Sequence, residues 1–381
     1  MLVVSITEFL LYISFSILIG SLIISLIPEN RKPPIYIPKK FLILAASLIP
    51  LAAFFPVFQT AKTLAGDMDI QFILTNVLFT FEIGKAWLLL TILSVILIII
   101  LSVMGDKNNK NLTITGLILT LFILLAYTRS SHAATITEGQ GFVVHTLHFL
   151  AVSIWIGILF VVSWFSKNKN NWPHFLQWYT PVAIVCLFIT FIAGYFTMQI
   201  DINSYDDPNA TIFQEYQNAL LVNYGQALIL KHIFIISLVA FATINGVLFR
   251  KKHNHPTFNP LIWAKMESVF GLIVFGLTAF MGQSWPPHQV YSLIKDQGAS
   301  PLFNVLYDGE IINTIQNSND INVLNVSLSL GVESIMLFLL GLLFMVLTII
   351  AAARKSALFP SFLSSLLMVL SFYLGIMTGI V

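Results

Sequence analysis

From Leu88 to Val103, and again from Ile335 to Ala352, the chain runs without a charged residue. Uninterrupted runs of this length restrict the fold severely. An α-helix rising ~1.5 Å per residue needs about 20 residues to cross the ~30 Å hydrocarbon core of a bilayer. No water is present there, so every backbone N–H and C=O must be paired within the protein, which leaves helices or a closed barrel. A barrel would show short segments alternating apolar and polar residues, and these runs do not alternate. Ten segments meet the helical requirement: Ser5 to Ile27, Phe41 to Thr60, Leu78 to Met104, Leu112 to Thr128, Val143 to Phe165, Trp178 to Gln199, Gly225 to Phe249, Trp263 to Gly282, Gly331 to Ala353 and Leu358 to Gly379. The expected fold is all-α, a polytopic membrane bundle of about ten transmembrane helices, read as one transmembrane domain over residues 1–381. Composition agrees, with 9% charged and 57% hydrophobic residues against the ~25% charged of a soluble domain. Pro50 and Pro56 are expected to kink the second segment, and Pro181 suits the first turn of the sixth.

Basic residues orient the bundle, because cytoplasmic loops of membrane proteins are enriched in Lys and Arg. Fourteen of the 19 lysines and arginines, from Arg31 and Lys32 to Arg354 and Lys355, fall on one side of the ten segments. Both termini are therefore expected outside. Five basic and fourteen acidic residues give the outer side a formal charge of −9, and fourteen basic against three acidic residues give the inner side +11, consistent with the net charge of +2. A negative outer face attracts cations. The first segment reads as a retained helix rather than a signal peptide, since no Lys or Arg precedes it and no small-residue cleavage site follows. A phosphate-binding Gly-rich loop ending in Gly-Lys-Ser/Thr is absent, which argues against ATP as the energy source. A single cysteine, Cys186, rules out a disulfide framework or a Cys-rich metal site within the chain, and its apolar neighbours suggest a small buried residue.

Ionisable groups are expensive inside a membrane and mark function by default. Five of the eight histidines gather at the outer end: His132 after the fourth segment, His145 and His148 in the first turns of the fifth, His232 about two turns into the seventh, and His288 beyond the eighth. His145 and His148 are three apart and share a helix face, and Trp155 continues that stripe inward. Paired imidazoles suit copper, zinc, iron or nickel, and the thioethers of Met198 and Met281 would favour Cu(I). A plainer reading is also open, with each histidine bonding a nearby carbonyl and each methionine filling core space. His174, His253 and His255 lie in polar inner loops and read as solvated. Lys231, beside His232, needs an acid, and Glu8, Glu82, Glu138 and Glu333 are the candidates near the outer end. Asn245 lies close to the face of Lys231, and Glu267 marks the inner end of a path or forms an interfacial pair with Lys265. Glu82 and Lys85 are spaced as a simple helical pair.

The run from His145-Thr-Leu-His148 through Trp155-Ile-Gly157 resembles the signature of the copper-resistance protein D (CopD/PcoD) family. Tyr224-Gly-Gln-Ala-Leu-Ile-Leu-Lys231 followed by Asn245 resembles its next motif, and Glu267 through Leu277 and on to Pro286-Pro287 its following helix. Ser131-His132-Ala133 matches a short upstream element. The resemblance is best over about residues 128–288; the first three segments match in character, and the last two, 331–353 and 358–379, lie beyond the eight helices of shorter members. The resemblance implies copper transport at the plasma (inner) membrane of a bacterium, contributing to copper homeostasis or resistance, alongside an extracellular or periplasmic CopC-type copper-binding protein. No outer loop here is long enough to contain such a domain as a β-sandwich.

The expected function is thus transport rather than catalysis. Copper, as Cu(I) or Cu(II), would be taken up through His132, His145, His148, His232 and His288 with Met198 and Met281, along a path including Glu138, Trp155, Lys231, Asn245 and Glu267. The expected partners are copper and lipid, with no nucleic acid. One alternative is a b-type cytochrome in which His145 or His148 pairs with His232 to hold a haem; another is a copper chaperone or sensor that binds without transporting.

Overall fold

The computed structural model describes the whole chain except residues 1, 104–108, 205–209, 253–258, 308, 319–323, 325 and 353–356 and the side chains of residues 138 and 247–252. The helices are α1 (Leu2–Leu26), α2 (Lys39–Ala65), α3 (Ile70–Thr80), α4 (Glu82–Val103), α5 (Lys110–Arg129), α6 (His132–Phe165), α7 (Trp172–Ile202), α8 (Ile212–Ala219), α9 (Asn223–Lys252), α10 (Pro260–Gly282), α11 (Val290–Gln297), α12 (Pro301–Leu306), α13 (Ile311–Asn317), α14 (Val332–Ile350) and α15 (Leu358–Met377). Among the described residues there are two isolated β-bridges and no strand. Among the described residues, ten helices are long and apolar enough to cross a membrane: α1, α2, α4, α5, the Gly139–Phe165 part of α6, α7, the Asn223–Gly246 part of α9, α10, α14 and α15. The chain is an all-α, multi-pass membrane protein.

Its contacts gather into two compact units, residues 2–200 with six of the spans and residues 201–381 with four. In the first unit, α1 is the buried axis, packed by α2, α5 and α6. Leu11, Phe15, Leu18, Ile19 and Leu22 form a core with Ala46 and Ile49 of α2, Leu97 of α4, Ile123 of α5 and Phe149 of α6. Lipid tails are as apolar as leucine, so membrane helices associate through close packing of small residues. Here a Cβ on Gly20 would strike the backbone of Gly157, and one on Gly157 would strike the Ser16 carbonyl. The two helices run side by side in parallel register, since Tyr12 meets Phe149 with ring centroids 5.3 Å apart and Gly20 meets Gly157 two turns further along.

Pro50 and Pro56 both lie within α2, and Trp87 of α4 donates to the Pro50 carbonyl at 2.9 Å. Pro181 departs from expectation: α7 begins at Trp172, so this proline is interior, and Pro173 takes the first-turn place. The reason is local, because Asn171 at φ 59° ends the preceding turn earlier than hydropathy suggested. The sequence also gave no sign of α3, a short helix whose start is capped by Asp69 accepting from the Gln71 N–H and whose Val77 packs on Val57 and Ala61 of α2.

In the second unit α9 packs on α10, α14 on α15, and α15 reaches α9. Gln226 of α9 anchors that last contact by bonding the Tyr373 hydroxyl.

The α1–α6 contact leads to a stability prediction. Gly157→Leu should lower the thermal unfolding midpoint in detergent, followed by circular dichroism, by the equivalent of about 1–3 kcal/mol or more of overpacking. Gly276→Ala, in open space on α10, should leave the midpoint unchanged or raise it slightly.

Candidate metal site

Ser131 caps α6, its hydroxyl accepting from the Ala134 N–H, and His132 follows as the first helical residue, exposed. α6 does not continue straight from there. Eight residues of straight helix would separate Ala133 from Gly141 by ~12 Å, yet a Cβ on Gly141 would strike the Ala133 carbonyl. The helix bends sharply over this interval, with Gly139 and Gly141 supplying the room. The bend sets the first turn of α6, and His132 with it, beside Gly141, one turn from His145.

His145 and His148 lie on the spanning part of α6, both half-buried. His148 is held by α7: its Nδ1 is 3.0 Å from the Thr190 carbonyl oxygen, and its ring covers Gly194, where a Cβ would come within 2.9 Å of Cε1 and Nδ1. A carbonyl can only accept, so Nδ1 carries the proton and the lone pair of the neutral ring is on Nε2. Metal-binding histidines are commonly oriented in this way by a carbonyl behind the ring. Met198 lies one turn beyond Gly194 on the stripe Thr190, Gly194, Met198. Because α6 and α7 run in opposite directions, Met198 and His145 are each one turn from the His148–Gly194 contact, toward the same end.

The second unit contains His232 and His288. Tyr216 of α8 stacks on His232, with centroids 5.8 Å apart and planes at 14°, and its hydroxyl is 2.8 Å from Nδ1. Burial pushes the Tyr216 phenol above its usual range, so it stays protonated and can donate to Nδ1. The proton of neutral His232 then sits on Nε2, a tautomer less ready for a metal than that of His148. His288 is buried in a short turn with Nδ1 2.6 Å from the Asn203 carbonyl, which again leaves the lone pair on Nε2. Met281 is engaged otherwise, since the Lys231 ammonium points at its sulfur from 3.6 Å. Among the described residues no group of three or more His, Cys, Asp or Glu side chains is arranged to hold a metal ion; that criterion leaves out thioethers.

The remaining polar residues find partners that were not anticipated. The carboxylate acting on Lys231 is Asp201, in the last turn of α7, where the sequence reading had placed a loop; its Oδ2 accepts from Tyr224 at 3.1 Å. Of the four proposed acids, Glu8 is bonded by Tyr127 at 2.6 Å and Glu82 by Lys85 at 3.3 Å, the side chain of Glu138 lies outside the described residues, and Glu333 is exposed in the first turn of α14. Glu267 is buried and accepts from Asn245 of α9 at 2.6 Å, an α9–α10 bond in place of the expected pair with Lys265. Trp155 is buried, and its carbonyl accepts from Tyr179 at 3.2 Å, so it ties α6 to α7. Cys186 is buried and His174 exposed, as expected, and His253 and His255 lie outside the described residues. Sequence reasoning missed Thr190, Gly194 and Tyr216. The four-residue spacing from Thr190 to Gly194 to Met198 was the available signal for the first two; Tyr216 left none.

Asn245→Ala should leave the buried Glu267 carboxyl without its donor and lower the unfolding midpoint by the equivalent of about 1–3 kcal/mol. Adding Glu267→Leu should recover part of that loss, and a double-mutant cycle on detergent-purified protein would measure the coupling.

No curated protein and no solved structure matches the chain. A family model does: residues 1–142 match the one described as copper resistance protein D-like, N-terminal domain. The match runs from α1 through His132 and the bend of α6 and stops short of His145, so it covers the helices whose motifs resembled that family least. Over this stretch the chain is similar to the copper resistance protein D-like N-terminal domain.

Proposed function

We propose that the protein transports copper across a bacterial plasma membrane, taking it up from the outside through His145, His148 and Met198 of the first unit, with His132 making the first contact. The observation that carries this reading is the His148 ring, oriented by the Thr190 carbonyl at Nδ1 and seated over Gly194, with the neutral ring's lone pair on Nε2. A histidine serving only to cap a carbonyl would not need a glycine cut into the facing helix. The similarity of residues 1–142 to the copper resistance protein D-like N-terminal domain supports copper as the cargo, and the acidic outer side would concentrate the cation. A transport site must release its ion, so a two-histidine, one-thioether set suits the task better than a closed four-ligand cage. Within the second unit, His232, His288 and Met281 are further candidate ligands, and the Asn245–Glu267 pair offers oxygen atoms. An extracellular copper-binding protein of the CopC type is the natural donor, and uptake is the direction that the family resemblance suggests.

The test is an anaerobic Cu(I) competition titration on detergent-purified protein, with the absorption spectrum recorded first and copper flux into proteoliposomes measured alongside. Wild type should bind Cu(I), and His145→Ala/His148→Ala should lose that binding and the flux. Gly194→Val, which displaces the ring without removing a ligand, should weaken binding by about 10- to 100-fold, as loss of ligand orientation does. A haem Soret band, no copper binding by wild type, or unchanged binding by the double variant would overturn the proposal.

A further inference from the structure

Two connections between spans meet at the end of the first unit away from His145: residues 27–38, joining α1 to α2, and residues 166–171, joining α6 to α7. They are fastened to each other. The Tyr36 N–H donates to the Phe165 carbonyl at 3.2 Å, and the Lys167 N–H donates to the Pro34 carbonyl at 2.9 Å. Asn171 Nδ2 donates to the carbonyls of Glu29 at 3.1 Å and Lys32 at 3.2 Å, and the Trp178 indole N–H donates to the Arg31 carbonyl at 2.9 Å. Four carbonyls of the first connection are thus engaged by the second connection and α7.

What these segments expose is positive. Residues 27–41 and 164–178 contain six lysines and arginines and one acid. That acid, Glu29, pairs at 2.9 Å with the buried Lys32, whose ammonium also donates to the Ile24 carbonyl at 3.0 Å in the last turn of α1. The other five, Arg31, Lys39, Lys40, Lys167 and Lys169, are exposed. Lys39 reaches the Ser102 carbonyl of α4. Beside them α2 begins without a side-chain cap, which adds the positive end of its dipole.

Aromatic residues mark the depth of these cations. Tyr and Trp collect at the headgroup layer of a bilayer; here Tyr36 is 64% and Trp164 46% exposed. The Lys167 ammonium lies 5.6 Å from the Tyr36 ring centroid, and Trp164 is one turn before Lys167 at the end of α6. Charge at this depth meets lipid phosphate. Orienting the spans requires only that basic residues lie in the right connections; it does not require two connections distant in sequence to be tied together.

We infer that this end of the first unit binds the headgroup of an anionic phospholipid, with Arg31, Lys39, Lys40, Lys167 and Lys169 meeting the phosphate and the Tyr36 and Trp164 rings flanking the glycerol. Ammonium and guanidinium groups form charge-assisted hydrogen bonds with phosphate oxygens, and clustered juxtamembrane cations select anionic lipid over zwitterionic. The site lies ~25 Å along α6 from His148 and stands independently of the copper reading.

The experiment titrates the full chain, purified in zwitterionic detergent at low salt, with phosphatidylglycerol, phosphatidylcholine or inorganic phosphate. The unfolding midpoint is followed, and native mass spectrometry counts the lipids retained. Phosphatidylglycerol should stay bound and raise the midpoint, as a ligand of the folded state does, and the other two should do neither. Arg31→Gln/Lys167→Gln/Lys169→Gln should weaken phosphatidylglycerol binding at least about tenfold, since each cation near the surface is worth about fivefold. Lys62→Gln/Arg129→Gln, at the other ends of α2 and α5, should leave it unchanged. Salt at about 0.5 M should also weaken binding by screening, and this arm decides the matter if the triple variant does not fold. Equal stabilisation by phosphatidylcholine or by inorganic phosphate, an unchanged response in the triple variant, or binding indifferent to salt would overturn the inference.

Discussion

A peptide group left unpaired in hydrocarbon costs several kcal/mol, and the architecture of this chain follows from avoiding that cost ten times over. Each span satisfies its backbone internally, so α1 to α15 can be arranged only by what their side chains offer one another. Lipid removes most of the hydrophobic gain from burying leucine against leucine, and small residues become the means of close approach. Gly20 against Gly157 is the clearest case: two backbones touch because neither residue has a side chain, and the register of α1 on α6 is set there.

That register controls chemistry as well as packing. It brings the Glu8–Tyr12 stripe alongside the helix bearing His145, and it lets α6 present its other face, with His148, to α7. Gly194 plays the part on α7 that Gly20 plays on α1, removing a side chain so that something else can come close, in this case an imidazole ring. Histidines of the two units differ in consequence. His148 and His288 each face a carbonyl through Nδ1, whereas His232 faces a phenol that can donate to it.

Much of this could be read from the residues. The all-α class and the ten spans follow from hydropathy, periodicity and composition, because each is a property of a local stretch. Errors came where a partner lies far away along the chain. Lys231 was offered four acids and is acted on by a fifth, Asp201, because a hydropathy boundary placed the end of α7 too early. Glu267 bonds Asn245 on the neighbouring helix rather than Lys265 on its own turn. The bend that turns His132 back beside Gly141 is a contact between turns that no periodicity expresses, although Gly139 and Gly141 permit it.

The sequence by itself determined that this chain lives in a membrane, which stretches cross it, and which side chains are costly enough there to imply function. Helical period and apolar length are sufficient for that, since both act within some twenty residues. Only the tertiary structure decided which imidazole nitrogen faces a carbonyl, which acid meets which phenol, and which serines lack a carbonyl. Those properties belong to pairs of helices, as when Tyr127 meets Glu8 from 119 residues away, and a residue's own neighbours in sequence carry no record of them.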